Sequence, residues 1–274
     1  MNLLEKYCPI FHFHPEEPYM PYNIDTFISE CQLRTTAGLL LSASPLPQDL
    51  MSNNTTTSYL EAMRDYKNTK NPNDGKPPSY PLYVRTNECV LNGIAYIRLM
   101  YMIFYAVNDK YTLVNDTINL GGFHYGDWEF VSIFINKDTQ LPEKVYLSEH
   151  SWDLGQLLNY ADLQKVGDRI QVWVAKGSHA NYPSSGLWTR IFGFPNDHCA
   201  DGKIPWAPDA SSFIEMDETL PWVKYLGRIG STTSPGSPYY KPMWNGQDVP
   251  CYGDKWWYRF FYPLSKKINN CKSS

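Results

Sequence analysis

One short segment of the chain gathers acidic and imidazole side chains that could do chemistry together. The segment GGFHYGDWEFVSIFI contains His124, Asp127 and Glu129. Side chains of an extended chain alternate between faces with a period of two, so Asp127 and Glu129 project from one face, while His124 enters from the preceding turn. Carboxylates packed together repel and raise one another's pKa, and a bound cation relieves that repulsion.

The donor types indicate which ion such a site would hold. Two carboxylates supply mostly oxygen ligands, which favours Mg²⁺ or Ca²⁺, with Mn²⁺ as a further option, over zinc. The spacing alone fits a second interpretation equally well, in which Asp127 and Glu129 form an ordinary solvent-exposed face beside a turn. A strand is expected to begin at about Trp128.

Two further histidines lie at the ends of predicted strands. His179 belongs to VAKGSHANYP, and His150 belongs to YLSEHSWD. A histidine at a strand end can reach a site at the rim of a sheet, although a hydrogen-bonded structural role is the alternative for each. Three histidine-bearing strand ends favour a shared site. The sequence contains no motif for other common catalytic sites: it has no GxSxG, no HExxH and no phosphate-binding glycine loop.

The elements that must position these side chains are strands. Segments rich in β-branched and aromatic residues alternate with turn residues, which predicts a mainly β fold, an antiparallel β-sandwich with long functional loops and a few short helices. We expect a single domain over residues 1–274, with a polar surface insertion at about 42–80 in which YLEAMRDY forms a short helix. The predicted strands are YVRTNECV, GIAYIRLMYMIFYAVN, DWEFVSIFIN, EKVYLSEH and RIQVWVAKGS.

The bulk composition excludes several classes of protein. Hydrophobic residues make up 43% and aromatic residues 15% of the 274 residues, so intrinsic disorder is not expected. A net charge of -4 without a basic run argues against nucleic-acid binding. The N-terminus lacks a basic start followed by a long apolar run, and no stretch of about 18 apolar residues occurs. The sequence as it stands therefore predicts a cytoplasmic protein without a transmembrane segment, with secretion without a leader as the alternative.

Several motifs resemble a known family. The run CPIFHFHPEEPYMPYNIDTFI resembles the opening of proteins related to vacuolar protein sorting-associated protein 62. The later segments HYGDWEFVSIFIN, LSEHSW and VAKGSHANYP are similar to that family's landmarks in the same order. The resemblance spans about residues 7–260.

The central motif is also similar to the heptapeptide GHRHDWE of the necrosis- and ethylene-inducing peptide 1-like proteins, a family of secreted cytolysins. That resemblance implies a lectin-like β-sandwich that holds a divalent cation and engages sphingolipid head groups. It maps the metal ligands onto His124, Asp127 and Glu129, and it adds Asp116, eight positions before the histidine. A distal histidine near the metal would correspond to His179.

These observations lead to three hypotheses about function. The first is a cation-dependent binding or toxin-like protein that recognises a sugar or lipid head group at the rim of a β-sandwich, with peripheral membrane contact. The alternative is a metal-dependent hydrolase of phosphoesters or esters at the same site, in which His179 or His150 acts as general acid or base. A structural or trafficking adaptor would leave the carboxylates as a solvated face.

Overall fold

Most of the secondary structure in the computed structural model is strand. The described residues are 2–66, 80–109, 112–113, 118–119, 122–149, 151–189, 196–202, 204–241 and 244. The strands are β1 (Ile10–Phe13), β2 (Cys31–Thr35), β3 (Leu40–Ser42), β4 (Ser58–Ala62), β5 (Leu82–Leu91), β6 (Ile94–Asn108), β7 (Thr112–Leu113), β8 (Ile118–Asn119), β9 (His124–Asn136), β10 (Pro142–Glu149), β11 (Ser151–Asn159), β12 (Lys165–Val166), β13 (Arg169–Val174), β14 (Asn181–Tyr182), β15 (Gly186–Thr189), β16 (Asn196–Cys199), β17 (Phe213–Glu215) and β18 (Arg228–Gly230). The α-helices are α1 (Leu3–Lys6), α2 (Ile24–Ser29) and α3 (Pro47–Ser52), and single 3-10 turns lie at Tyr160–Asp162, Ala210–Ser212 and Pro238–Tyr240.

The centre of the fold is a six-stranded sheet in the order β11-β10-β9-β6-β5-β17. Its two longest strands are β6 and β9. β6 and the second half of β9 are nearly continuous apolar runs, and almost every residue along both strands is buried. A strand that is apolar at successive positions must be covered on both faces, because alternate side chains point to opposite sides. The central sheet therefore requires a partner layer on each side.

Each face of the central sheet packs against a different sheet. Even-numbered residues of β6 and β9, such as Phe104 and Phe130, join α2 and the sheet ordered β18-β4-β2-β3 in one buried cluster. Odd-numbered residues, such as Ile103 and Ile133, join a second cluster with β1 and β13. β13 pairs with β1, β12 and β14, and this sheet also contacts Trp206. The result is three β layers with two apolar cores.

The predicted mainly β sandwich is confirmed, but its sheets contain parallel as well as antiparallel strand pairs. The meander from β5 to β11 is antiparallel. The sheets are nevertheless mixed, because β1 pairs with β13, β17 with β5 and β18 with β4 in parallel. Parallel neighbours come from distant parts of the sequence, so local patterns of hydrophobicity carry no signal for them.

The predicted surface insertion at about 42–80 is wrong for the part that the structure describes. YLEAMRDY, predicted as a short helix, contains most of β4, which lies between β2 and β18 in the second sheet. The side chains of Leu50, Leu60 and Tyr66 are fully buried in the core next to the central sheet. Residues 67–79 lie outside the described residues.

Two further features of the described residues concern membrane spans and cysteines. Within the described ranges, no helix is long and apolar enough to cross a membrane. Four of the six cysteines are described, and all four are buried: Cys8, Cys31, Cys89 and Cys199.

Candidate functional site

Asp127 and Glu129 lie side by side at the beginning of β9. β9 starts at His124, four residues earlier than predicted, and it pairs Asp127 with Tyr105 and Glu129 with Ile103 of β6. Both carboxylates project to the face that carries the odd-numbered core residues, and both are buried, at 8% and 4% exposure. The predicted shared face is therefore present, and it points into the protein rather than into solvent.

Gly126 allows β9 to lie against β18 at this point. It has φ +65°, and a Cβ there would overlap the carbonyl oxygen of Ile229. Only glycine adopts this backbone conformation without strain and also permits so close an approach. The backbone immediately before Asp127 is thereby fixed between two sheets.

A hydroxyl from the neighbouring strand binds Glu129. Ser148 in β10 donates to Glu129 Oε2. Its Oγ accepts hydrogen bonds from the backbone N–H of Phe130, at 2.8 Å, and from Asn181 Nδ2, at 3.2 Å. Burial and the adjacent charge of Asp127 raise the pKa of Glu129 well above its usual value, and the Ser148 hydrogen bond only partly opposes this. The folded protein thus favours neutralising this carboxylate by a proton or a cation.

His179 lies on the other side of Asp127 and is completely buried. Its ring stacks on Tyr105, with ring centroids 3.7 Å apart and planes 4° apart. His179 Nε2 is 3.1 Å from the Tyr19 carbonyl oxygen and 3.4 Å from Glu17 Oε1. His179 Nδ1 is 3.9 Å from Asp127 Oδ2, which is an ion-pair distance rather than a direct hydrogen bond.

The charge on His179 follows from its neighbours. Burial lowers the pKa of the imidazole, but the carboxylates of Glu17 and Asp127 outweigh burial and raise that pKa from 6.5 to about 9. His179 is therefore protonated at neutral pH, and both ring nitrogens are donors. The imidazole of His179 thus lies between the carboxyl groups of Glu17 and Asp127, and Asp127 in turn shares a strand face with Glu129.

His124 does not join these carboxylates. It is half-buried at the first position of β9, and its Nδ1 is 3.2 Å from the carbonyl oxygen of Gly126. His124 lies three positions before Asp127 along β9, about 10 Å at about 3.4 Å per residue. In the part of the chain that the structure describes, no three His, Cys, Asp or Glu side chains are grouped as a metal site. The predicted convergence of His124 with Asp127 and Glu129 is therefore not found, whereas Asp127 and Glu129 remain neighbours.

Two predicted site residues cannot be placed. Asp116, the fourth predicted metal ligand, and His150, a predicted acid or base, both lie outside the described residues. Their roles stay predictions.

Three buried polar residues of the site were missed by sequence reasoning. Glu17, Ser148 and Asn181 all have less than 6% exposure and contact His179 or Glu129 directly or through one side chain. Ser148 and Asn181 belong to YLSEHSWD and VAKGSHANYP, which were selected for their histidines. Glu17 lies between Pro15 and Pro18 in HPEEP, and a glutamate between two prolines gave no sign that it would be buried.

Comparison with known proteins identifies relatives of this chain. The family model of vacuolar protein sorting-associated protein 62 matches residues 1–194. TDA6 of Saccharomyces cerevisiae, a protein provisionally named for vacuolar protein sorting, is 23% identical over 283 residues, covering 84% of this chain and 60% of TDA6. The chain thus spans about 60% of the length of this curated relative.

The solved structures found to be similar include necrosis- and ethylene-inducing proteins, the family named in the second resemblance. Necrosis and Ethylene inducing Protein 2 from the causal agent of cocoa's Witches Broom disease is 15% identical, with coverage of 90% of this chain and 91% of that chain and a TM-score of 0.40. NLPPya in complex with glucosamine is also 15% identical, covering 85% and 83% of the two chains with a TM-score of 0.38. These scores are too low to transfer the role of any residue.

The family match covers more than two thirds of the 274 residues and includes HPEEP, HYGDWE and LSEH. It confirms the first resemblance seen in the sequence. The chain belongs to the vacuolar protein sorting-associated protein 62 family.

Proposed function

We propose that this protein binds a divalent cation through Asp127 and Glu129, and that the bound ion recognises a sugar or lipid head group. The observation that carries the proposal is the excess of buried acidic side chains over basic ones in this region. Glu17, Asp127 and Glu129 are all buried, and the described contacts supply His179 as the one positive partner of this group. Like charges at such close range in a protein interior require neutralisation.

The donor set fits a hard cation. Asp127 and Glu129 offer carboxylate oxygens from adjacent positions on one strand face, and Ser148 holds the Glu129 carboxylate in place. Oxygen donors of this kind suit Mg²⁺, Ca²⁺ or Mn²⁺. Such an ion, when bound, would supply charge that attracts hydroxyl or phosphate oxygens of a ligand. Asp116 is the further donor that the resemblance to the cytolysins implies.

An exposed aromatic residue close to this strand supports recognition of a head group. Phe123, directly before β9, is 47% exposed and packs edge to face against Tyr125, with ring centroids 5.1 Å apart. An aromatic ring that is exposed on one side can stack on a sugar or enter the interface of a bilayer. It lies one residue before His124 and four before Asp127.

Calorimetric titration of chelator-treated protein with Mg²⁺, Ca²⁺ and Mn²⁺ tests the cation. We expect wild-type protein to bind at least one of these ions and Asp127→Asn and Glu129→Gln to lose most of that affinity. Asp138→Asn is the matched control, because Asp138 is an exposed carboxylate in the turn after β9. Absence of binding by wild-type protein would refute the proposal.

The ligand requires a separate measurement. Vesicles of defined lipid composition and a panel of immobilised glycans would be mixed with wild-type protein, with the selected ion or with chelator. We expect the protein to be retained on either the vesicles or the glycans. This retention should require the ion and should be reduced by Phe123→Ala. Retention that chelator leaves unchanged would mean that the cation has no part in recognition.

A further inference from the structure

Glu17 connects the N-terminal segment to the turn that carries His179. The Glu17 Oε1 atom accepts the backbone N–H of Tyr19 at 2.9 Å, and Oε2 accepts the backbone N–H of Gly177 at 2.6 Å. Gly177 and His179 lie in the tight turn between β13 and β14. One buried carboxylate therefore joins two segments that are 160 residues apart in sequence.

The imidazole of His179 is held in a single orientation by this arrangement. Its Nε2 faces two acceptors, the Tyr19 carbonyl oxygen and Glu17 Oε1, and its ring is stacked on Tyr105. The residue has φ +58°, so the backbone also departs from the conformations that non-glycine residues usually adopt. Fixing Nε2 and the ring plane leaves Nδ1 directed towards Asp127 Oδ2.

The Nδ1 atom of His179 is buried and has no hydrogen-bond partner among the described residues. Asp127 is the acidic group that it approaches, at 3.9 Å. A completely buried nitrogen that faces a carboxylate restricts the positions which that carboxylate can take, because moving away would leave the nitrogen with no polar partner.

We infer that Glu17 acts through His179 as a positioning residue for Asp127, and so sets the affinity of the cation site without touching the ion. This inference rests on the proposed function. Residues that orient a metal ligand through a hydrogen-bonded intermediary typically change metal affinity about 10–100-fold when they are replaced. Glu17 is therefore assigned a function in the site although it lies in a different segment from the ligands.

The decisive experiment titrates wild-type protein and four variants with the ion that wild-type protein binds. Glu17→Gln keeps the shape of the side chain and removes its charge, and His179→Gln removes the intermediary. We expect Glu17→Gln to weaken binding about tenfold or more, and we expect no further loss when Glu17→Gln is added to His179→Gln. Glu16→Gln is the matched control, because Glu16 is the adjacent exposed carboxylate that pairs with Lys176. Its affinity is expected to stay within about twofold of wild type, since its ion pair lies on the surface.

Several results would overturn the inference. Unchanged cation affinity in Glu17→Gln would overturn it. An equal loss of cation affinity on Glu17→Gln in the presence and in the absence of His179 would also overturn it, because Glu17 would then not act through His179. If Glu17→Gln does not fold, Glu17→Asp keeps the charge but withdraws the carboxylate by one methylene, and it enters the same titration with the same expected loss. A purely structural role of Glu17 would lower the melting temperature of the cation-free protein while the folded protein kept wild-type affinity.

A second measurement separates this inference from the proposed function. If wild-type protein binds none of the three ions, the proposed function fails. Melting temperatures of the cation-free proteins Glu17→Gln, Asp127→Asn and the double variant then decide separately whether Glu17 positions Asp127 through His179. If the melting-temperature shifts of Glu17→Gln and Asp127→Asn are non-additive, and become additive in a His179→Gln background, Glu17 acts on Asp127 through His179. Additive shifts in both backgrounds would overturn that coupling.

Discussion

Replacing Gly126 with alanine is the sharpest test of how the candidate site is built. Gly126 directly precedes Asp127, and its backbone lies against Ile229 of β18. An alanine Cβ would overlap the Ile229 carbonyl oxygen and lie 3.1 Å from the Ile229 carbonyl carbon. Both neighbours are backbone atoms of a buried strand, so they cannot rotate away as a flexible side chain would.

The loss of folding stability in Gly126→Ala has two parts, which a matched control variant separates. Gly126 has φ +65° and Gly167 has φ +62°, but a Cβ on Gly167 would meet no described atom within 4 Å. Each alanine substitution costs about 1–2 kcal/mol for the left-handed backbone. Gly126→Ala must in addition move β9 away from β18, which we estimate at about 1–3 kcal/mol by analogy with overpacking in cores. We therefore expect Gly126→Ala to be about 2 kcal/mol less stable than Gly167→Ala.

Equilibrium unfolding in urea, with chelator present, measures this difference directly. In thermal unfolding it corresponds to a melting temperature lower by on the order of 5 °C. We also expect weaker cation binding by Gly126→Ala, because displacement of β9 shifts Asp127, whereas Gly167→Ala should bind as wild type does. Equal losses of stability in the two variants would show that β9 and β18 are not in the close contact described, and the reasoning would be refuted.

Three further predictions concern the buried polar groups. Glu129→Gln should raise the free energy of unfolding of cation-free protein at pH 7, because the raised pKa of Glu129 means that its ionised form destabilises the fold; a lower stability in urea would contradict this. The pKa of His179 is raised from 6.5 to about 9, so its contribution of up to about 3 kcal/mol is present below pH 6.5 and is lost as the pH rises to about 9. Urea unfolding at pH 6 and pH 9 checks this, and His179→Gln should show a smaller difference between the two pH values. Ser148→Ala removes the donor to Glu129 and an acceptor of the Phe130 N–H, so we expect a loss of about 1–3 kcal/mol in urea unfolding. Ser132→Ala should lose less, because the buried Ser132 hydroxyl has no hydrogen-bond partner in the described part of the chain.

Local sequence patterns were sufficient to predict four of the six strands of the central sheet, and one strand of a covering sheet. The five predicted strand segments correspond to β5, β6, β9, β10 and β13, because long runs of β-branched and aromatic residues permit few other structures. The same patterns predicted that Asp127 and Glu129 share a face, since the period of two holds along the regular part of β9. The position of His124 was not predicted, because β9 extends back through Gly126 to His124 instead of following a turn.

The edge strand β17 of the central sheet and most strands of the outer layers could not be predicted from the sequence in the same way. β17 and β18 have three residues each and pair in parallel with strands more than 120 residues earlier, so no local run marks them. β4 was predicted as a helix because YLEAMRDY contains good helix formers, yet its pairing with β2 and β18 decides its conformation. Glu17 was missed for a related reason, since its burial depends on Gly177 and His179, which follow it by about 160 residues.

The arrangement of the polar residues gives the strongest argument that this region is more than a core. Four separate sequence motifs meet here, and they contribute Glu17, the pair on β9, Ser148, and His179 with Asn181. Burying polar and charged groups costs free energy that an apolar core of the same shape would not require, and replacing buried ion pairs by apolar residues often stabilises a protein. Folding alone therefore gives no reason to bring these motifs together. A requirement to hold two carboxyl groups in fixed positions close to one another does give such a reason, and it is the requirement that the proposed cation site would impose.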